Sequence, residues 1–117
     1  GVVPDARTAA GEQLSERTLA AAAERIQQAV PPNATGVDVR VRIDLPPTIR
    51  GAGYDIRAEN RSLVLDHSRD RLDRRARLAL PESVVRVEGQ WESGETTVVR
   101  VHRVDTGLVV RLESGER

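Results

Sequence analysis

The chain has no cysteine, methionine, phenylalanine or lysine, and it has one tryptophan, Trp91, and one tyrosine, Tyr54. The absence of cysteine excludes thiol catalysis and cysteine zinc sites, but it leaves the redox compartment open, because secreted proteins of this size can fold without disulfides. The absence of lysine excludes Schiff-base chemistry and a phosphate-loop lysine. The core must therefore be aliphatic, and a valine-rich composition favours strands.

Long apolar runs are also missing. The longest, Leu19 to Ala23, is far shorter than the roughly 20 residues needed to cross a bilayer, so we expect the chain as given to be soluble. The 18 basic residues, all arginine, balance the 18 acidic residues, which argues against charge-driven disorder and against a general attraction to nucleic acid. A length of 117 residues predicts a single domain over residues 1–117.

The first quarter of the chain has the period of an amphipathic helix. Apolar side chains recur at steps of three and four residues, and the densest part of this stripe contains Leu19, Ala22, Ala23, Ile26 and Val30. The pattern stops at Pro31-Pro32, because proline cannot donate a backbone hydrogen bond and disfavours helical geometry in the residue before it. We therefore predict a helix over residues 5–31, with Asp5 as its cap and a length that crosses the whole domain.

The remainder, residues 36–117, alternates apolar and polar side chains as strands do. The clearest strand is 37–45, with apolar residues at odd positions and charged residues at even positions. Asn60-Arg61 predicts a hairpin, and turns at Ser93-Gly94 and 105–107 predict a C-terminal meander. Six or seven strands with short connections predict antiparallel pairing, because parallel strands need long crossovers. The expected fold class is α+β, with one long N-terminal helix packed on an antiparallel sheet.

Two more predicted strands flank Pro81. Residues 75–80 alternate on one side of it, and on the other side one face is shared by Val85, Val87, Gly89 and Trp91. We expect Trp91 to point inward on that face and to anchor the core.

No cluster of residues has the types and spacing of a catalytic or metal site. Asp66, His67 and Ser68 contain the residue types of a hydrolase triad, but neighbours on a strand point to opposite faces. His67 and His102 have no defined carboxylate partner, so ordinary strand surface is favoured over a metal site. Asp66, Asp70 and Asp73 lack the glycine turn of a calcium loop, so ion pairs with nearby arginines are favoured. We expect no enzyme activity and no cofactor.

The segment 69–77 is rich in arginine and is a candidate contact for an acidic partner. Its five arginines are Arg69, Arg71, Arg74, Arg75 and Arg77. No aromatic residue interleaves with them for base stacking, so nucleic acid is not the expected partner. The favoured interpretation is a solvated, salt-bridged loop or edge strand, since most exposed charge runs contribute little to binding or stability.

Both asparagines of the chain, Asn33 and Asn60, are followed by a hydroxyl residue at the second position, which makes each an acceptor motif for N-glycosylation. Asparagine is also a common turn residue, which accounts for the asparagines but not for the downstream hydroxyls. The pair favours extracellular exposure, with Asn33 and Asn60 as candidate glycosylation sites.

Several stretches of the chain resemble a family of small haloarchaeal envelope proteins with a pilin-like layout. They are Val2-Val3-Pro4, Arg7-Thr8-Ala9-Ala10-Gly11, Ala22-Ala23-Glu24-Arg25, Val30-Pro31-Pro32-Asn33-Ala34-Thr35, Leu78-Ala79-Leu80-Pro81 and the ten residues from Val85 to Gly94. The resemblance covers most of the chain. It implies a membrane-spanning helix immediately before the Val-Val-Pro segment, with this chain as the outer part, and it brings no catalytic residues.

Two functions remain open from the sequence. The resemblance implies a non-enzymatic structural subunit at the cell surface, which assembles through its N-terminal helix with copies of itself or with related pilin-like subunits. The apolar stripe of that helix is sparse before Leu19, with only Ala9, Ala10 and Leu14, so its early half is expected to project or to meet a partner. The alternative is an extracellular binding module that recognises an acidic polymer, a glycan or a partner protein.

Overall fold

The computed structural model describes residues 3–30, 38–69 and 72–115, with side chains from Gly11 onward. One helix is followed by seven strands. The elements are α1 (Val3–Ala29), β1 (Asp38–Ile43), β2 (Tyr54–Glu59), β3 (Ser62–His67), β4 (Arg74–Arg77), β5 (Val84–Glu92), β6 (Thr96–Val104) and β7 (Gly107–Gly115). This order confirms the predicted α+β class, with an N-terminal helix packed on a sheet that is mostly antiparallel.

The seven strands form one sheet in the order β1-β6-β7-β5-β2-β3-β4. β5 and β6 are joined by a tight turn but do not pair, because β7 lies between them. Two successive reversals of the chain return β7 to the direction of β5, so these two strands pair in parallel without a long crossover. The predicted C-terminal meander is therefore wrong at this point, and the sheet is mixed.

The helix begins and ends earlier than predicted. It starts at Val3, so Asp5 lies inside the helix and is not its cap, while Pro4 occupies the first turn, where proline is tolerated. Its buried face continues the predicted stripe toward the N-terminus with small residues that allow close packing, namely Gly11, Ser15 and Thr18. Leu14, which was expected on the inner stripe, is instead 38% exposed. Ala9 and Ala10 have side chains outside the described set.

The sheet is curved around the helix. The closest approaches of the helix backbone are to β4 and β3 at one end of the sheet and to β1 and β6 at the other. The concave face therefore holds the core, in which Ile26 and Leu19 of the helix join Ile56, Leu65 and Val99 of the sheet. The convex face, called the open face below, lies on the side of the sheet away from the helix.

β5 does not alternate as its sequence indicates. Val84, Val87 and Trp91 are buried, whereas Val85 is 43% exposed, because the pairing of β5 with β7 shifts register between Val84 and Arg86. An extra residue in a strand sends the following side chains to the opposite face. Val85 was expected beside Val87 and is not in the core, whereas the inward position of Trp91 is confirmed at 1% exposure.

Other boundaries also differ. β1 covers Asp38–Ile43 within the predicted 37–45, and β4 covers only Arg74–Arg77 of the strand predicted up to residue 80. The hairpin at Asn60-Arg61 is confirmed by the pairing of β2 with β3. The part of the chain that the structure describes contains no helix with the length and hydropathy of a membrane span.

Tyr54 fastens the loop between β1 and β2. Its hydroxyl donates a hydrogen bond to the carbonyl oxygen of Pro46 at 2.6 Å. Burial raises the pKa of Tyr54 to about 12, because a phenolate would be poorly solvated there. In the unfolded chain the phenol returns to its ordinary pKa of about 10, so the unfolded state alone loses a proton between these two values.

We expect the free energy of unfolding to decrease as the pH rises from about 10 to about 12. A raised folded-state pKa stabilises the protein fully below the unfolded value, and this stabilisation is lost as the pH rises through the folded value. With no lysine or cysteine and a single tyrosine, Tyr54 is the only side chain besides arginine that titrates in this window. Urea unfolding at several alkaline pH values should show this slope, and Tyr54→Phe should remove it. An equal slope in Tyr54→Phe would contradict the assignment.

Candidate interaction site

The arginine-rich segment 69–77 does not present one continuous basic surface. Arg74 points to the concave side, where its guanidinium lies 3.4 Å from Glu16 and 3.8 Å from Glu12 of the helix. It also donates to the backbone carbonyl of Asp73 at 2.6 Å. Arg74 therefore ties β4 to the helix and is not part of an outer contact surface.

The other arginines of β4 lie on the open face at the edge of the sheet. Arg75 bonds to Glu59, and this hydrogen bond, more than any other effect, lowers the pKa of Glu59. Arg77 lies opposite Ser62 and is exposed. A short, charged edge strand is a common protection against pairing with another sheet. The five arginines predicted to form one contact surface therefore lie in different surroundings. Arg69 is exposed in the preceding loop, and Arg71 lies outside the described residues.

Asn60 occupies the tip of the β2–β3 hairpin, exposed to solvent. Its φ of 57° lies in the left-handed region that asparagine tolerates better than most residues. The turn therefore accounts for the asparagine, while the half-buried Ser62 starts β3. The acceptor motif is accessible at its asparagine. Asn33 lies outside the described residues.

Asp66 and His67 point to opposite sides of β3. Asp66 is exposed and pairs with Arg57 at 3.2 Å, whereas His67 is only 4% exposed. The Nε2 atom of His67 lies 2.7 Å from the carbonyl oxygen of Ile49, and its Nδ1 accepts from the amide of Arg69 at 3.0 Å. The expected surface position of His67 is therefore wrong, because the ring joins two loops in the interior.

The remaining acidic and imidazole groups do not gather around a common point. Asp73 accepts a hydrogen bond from the backbone amide of His67 at 2.7 Å, and Asp70 lies outside the described residues. His102 is half-buried on β6, and its Nδ1 is buried with no hydrogen-bond partner among the described residues. Within the described ranges no group of three or more His, Cys, Asp or Glu side chains could hold a metal ion.

Arg61 has a structural role that the sequence does not indicate. Its guanidinium donates to the carbonyl oxygens of Val84 at 2.8 Å, Pro81 at 3.1 Å and Leu80 at 3.4 Å. The carbonyl of Arg61 in turn accepts from the amide of Leu78 at 2.8 Å. Arg61 thus connects the β2–β3 hairpin to the β4–β5 segment. Its position after Asn60 in a turn was the only sequence signal, and that signal does not distinguish Arg61 from any other exposed arginine.

The family model of a family of unknown function, DUF7266, matches residues 1–113. The chain belongs to this family. The match includes the helix and nearly all of the seven-stranded sheet. No curated protein and no solved structure matches the chain. A function for this DUF7266 protein must therefore be argued from its own geometry.

Arg61→Lys should lower the free energy of unfolding of the DUF7266 protein by about 1 to 2 kcal/mol, since a lysine keeps the charge but cannot contact three carbonyl groups from one plane. Arg75→Lys is the matched control, because Arg75 is exposed and its pair with Glu59 is screened by solvent and should contribute much less. Urea unfolding followed by Trp91 fluorescence measures both. Equal effects of the two substitutions would show that the carbonyl contacts of Arg61 contribute little.

Proposed function

We propose that the chain is the outer part of a non-enzymatic, pilin-like structural subunit of the cell surface, which assembles through its N-terminal helix. The observation that supports this most directly is the relation of the helix to the sheet. One continuous helix, Val3–Ala29, is held by its inner face in the concave side of a curved sheet. A helix held on one face only leaves the opposite face available to another subunit.

The outward face of the helix has a composition that permits helix packing. Leu14 is one of two large apolar side chains exposed in the described part of the chain, the other being Val85. Ala20 and Ala21 are also exposed, about two turns further along the helix. Ala21, seven positions after Leu14, lies on the same side of the helix, and small residues on a helix surface let a second helix approach closely. We propose that this outward face meets the helix of a neighbouring copy or of a related subunit.

The accessible hairpin tip supports the proposed extracellular location. Asn60 is exposed at the opposite end of its hairpin from the strand ends Tyr54 and His67, so a glycan there would extend from the tip. We propose Asn60 as a glycosylation site, with Asn33 as the second. Intact mass of the protein from its native host, with and without glycosidase treatment, would detect both. An unmodified mass would remove this support.

The test of assembly uses the full-length protein expressed from its own gene, followed by membrane fractionation and electron microscopy of the cell surface. We expect a membrane or filament fraction, and we expect Leu14→Glu to reduce it strongly. Val85→Glu is the matched control, because it places the same charge on the other exposed apolar residue. A monomeric, cytosolic product, or equal effects of the two substitutions, would contradict the proposal.

The second candidate, a binding module for an acidic polymer or partner, has one observation in its favour. Arg69 and Arg77 are exposed and form no ion pair with other described residues. Salt-sensitive binding of an acidic polymer that is lost in the double variant Arg69→Ala with Arg77→Ala would support this function over assembly.

A further inference from the structure

The open face carries a row of arginines that sequence separation conceals. Arg40 of β1 lies directly opposite Arg100 of β6, and Arg100 lies directly opposite Arg111 of β7. The next strand, β5, places Glu88 opposite Arg111. Neighbouring strands are about 4.8 Å apart, so the three arginine side chains lie side by side across the sheet.

The two ends of this row differ in their charge partners. Arg111 donates twice to one oxygen of Glu88, at 2.8 and 2.5 Å, and this interaction lowers the pKa of Glu88. In the middle of the row, Arg100 lies 3.6 Å from Asp38. Arg40 forms no ion pair among the described residues. At β5 the row is thus paired with Glu88, which also accepts from Arg86 at 2.8 Å, whereas Arg40 at β1 has no such partner.

Other charges stand nearby on the same face. Arg42 follows Arg40 by two positions and likewise forms no ion pair within the described residues, while Glu113 lies in the row of Arg42 and Val98, and Asp44 follows the end of β1. Neither carboxylate forms an ion pair with Arg40 or Arg42. The arginine donors at the β1 end are therefore available to an external anion.

The row is physically unfavourable in the free protein. Like charges directly opposite each other on neighbouring strands destabilise a sheet. Val98 and Val109, which lie on this face rather than on the helix side, are nevertheless buried. Long arginine stems that lie over small apolar residues account for such burial. An anion between the guanidinium groups would relieve their repulsion.

We propose that the row Arg40, Arg100 and Arg111, with Arg42, binds an acidic polysaccharide that carries regularly spaced carboxylates. The planar guanidinium binds a carboxylate through two parallel hydrogen bonds, and a linear polyuronate offers one carboxylate on every sugar. Single-stranded nucleic acid fits less well, because binding it requires exposed aromatics for base stacking, and both Trp91 and Tyr54 are buried. This inference is independent of assembly through the helix.

The test is a calorimetric titration of the 117-residue chain with polygalacturonate at low and moderate salt. We expect binding that weakens with added salt, and we expect Arg40→Gln with Arg42→Gln to weaken it about tenfold or more. Arg57→Gln with Arg75→Gln is the matched control, because it removes the same charge from the same face at β2 and β4, where both arginines are paired with Glu59. Equal losses in the two double variants would overturn the proposal, as would undetectable binding.

Two further measurements identify the class of ligand and test whether the arginines of the row repel one another. Polyglutamate and a single-stranded oligonucleotide should bind more weakly than polygalacturonate, and tighter binding of either would overturn the assignment to a polysaccharide.

In the free protein, Arg100→Gln should raise the melting temperature, because it removes the central like charge. Polygalacturonate should raise the melting temperature of the original chain more than that of this variant. A lower melting temperature in Arg100→Gln would show that the row is not strained.

Discussion

Replacing Trp91 by alanine is expected to lower the free energy of unfolding by about 3 to 5 kcal/mol, the range observed when a large buried aromatic is truncated. The indole is 1% exposed and lies opposite Ile56, in the short stretch where β5 pairs with β2. Its N–H donates to the carbonyl oxygen of Val98 at 2.8 Å. Trp91 therefore links β5 to β6, two strands that are consecutive in the chain but separated in the sheet by β7.

Trp91→Phe separates packing from hydrogen bonding. Phenylalanine keeps an aromatic ring but leaves the carbonyl of Val98 without its donor, so we expect a loss of about 1 to 3 kcal/mol, smaller than that of alanine. Because both variants remove the only tryptophan, unfolding must be followed by circular dichroism in urea. A change below about 1 kcal/mol in Trp91→Ala would mean that the residue does not anchor the core.

The parts of the fold that local sequence determines were predictable. The helix follows from the period of its apolar residues, and the β2–β3 hairpin follows from Asn60 between two alternating segments. The insertion of β7 between β5 and β6 was not predictable from connection length, because it depends on which distant strands pair best. The exposure of Val85 was missed for a related reason, since a register shift in a pair of strands has no periodic signal in one of them.

The candidate interaction surfaces also differ in how far the sequence predicts them. The segment 69–77 is visible as a run of arginines, yet its members separate once the strand is formed, with Arg74 directed to the helix and Arg75 to Glu59. The arginine row on the open face, in contrast, is not visible as a run in the sequence. Arg40 and Arg100 are sixty positions apart in the chain and become neighbours only through the pairing of β1 with β6. Interaction sites built across a sheet therefore require the register as well as the composition.

Gly89→Ala is expected to have the second large effect, with a loss of more than about 4 kcal/mol or failure to fold. Gly89 pairs with Leu112 in the parallel β5–β7 pair. A Cβ atom at this position would lie 2.3 Å from the carbonyl oxygen of Leu112, and the backbone φ is already 95°. The clash is with backbone, so it could be relieved only by moving β5 away from β7, which would break the one parallel pairing in the described sheet.

Gly94→Ala distinguishes this clash from the backbone conformation. Gly94 has a comparable φ of 86°, but a Cβ there would meet nothing within 4 Å. It should therefore show only the conformational penalty of about 1 to 2 kcal/mol. Urea unfolding followed by Trp91 fluorescence measures both variants, and solubility after expression provides a second readout if Gly89→Ala does not fold. If the two substitutions were equally mild, β5 and β7 could separate at little cost, and the parallel pair would not be the close contact that fixes the centre of the sheet.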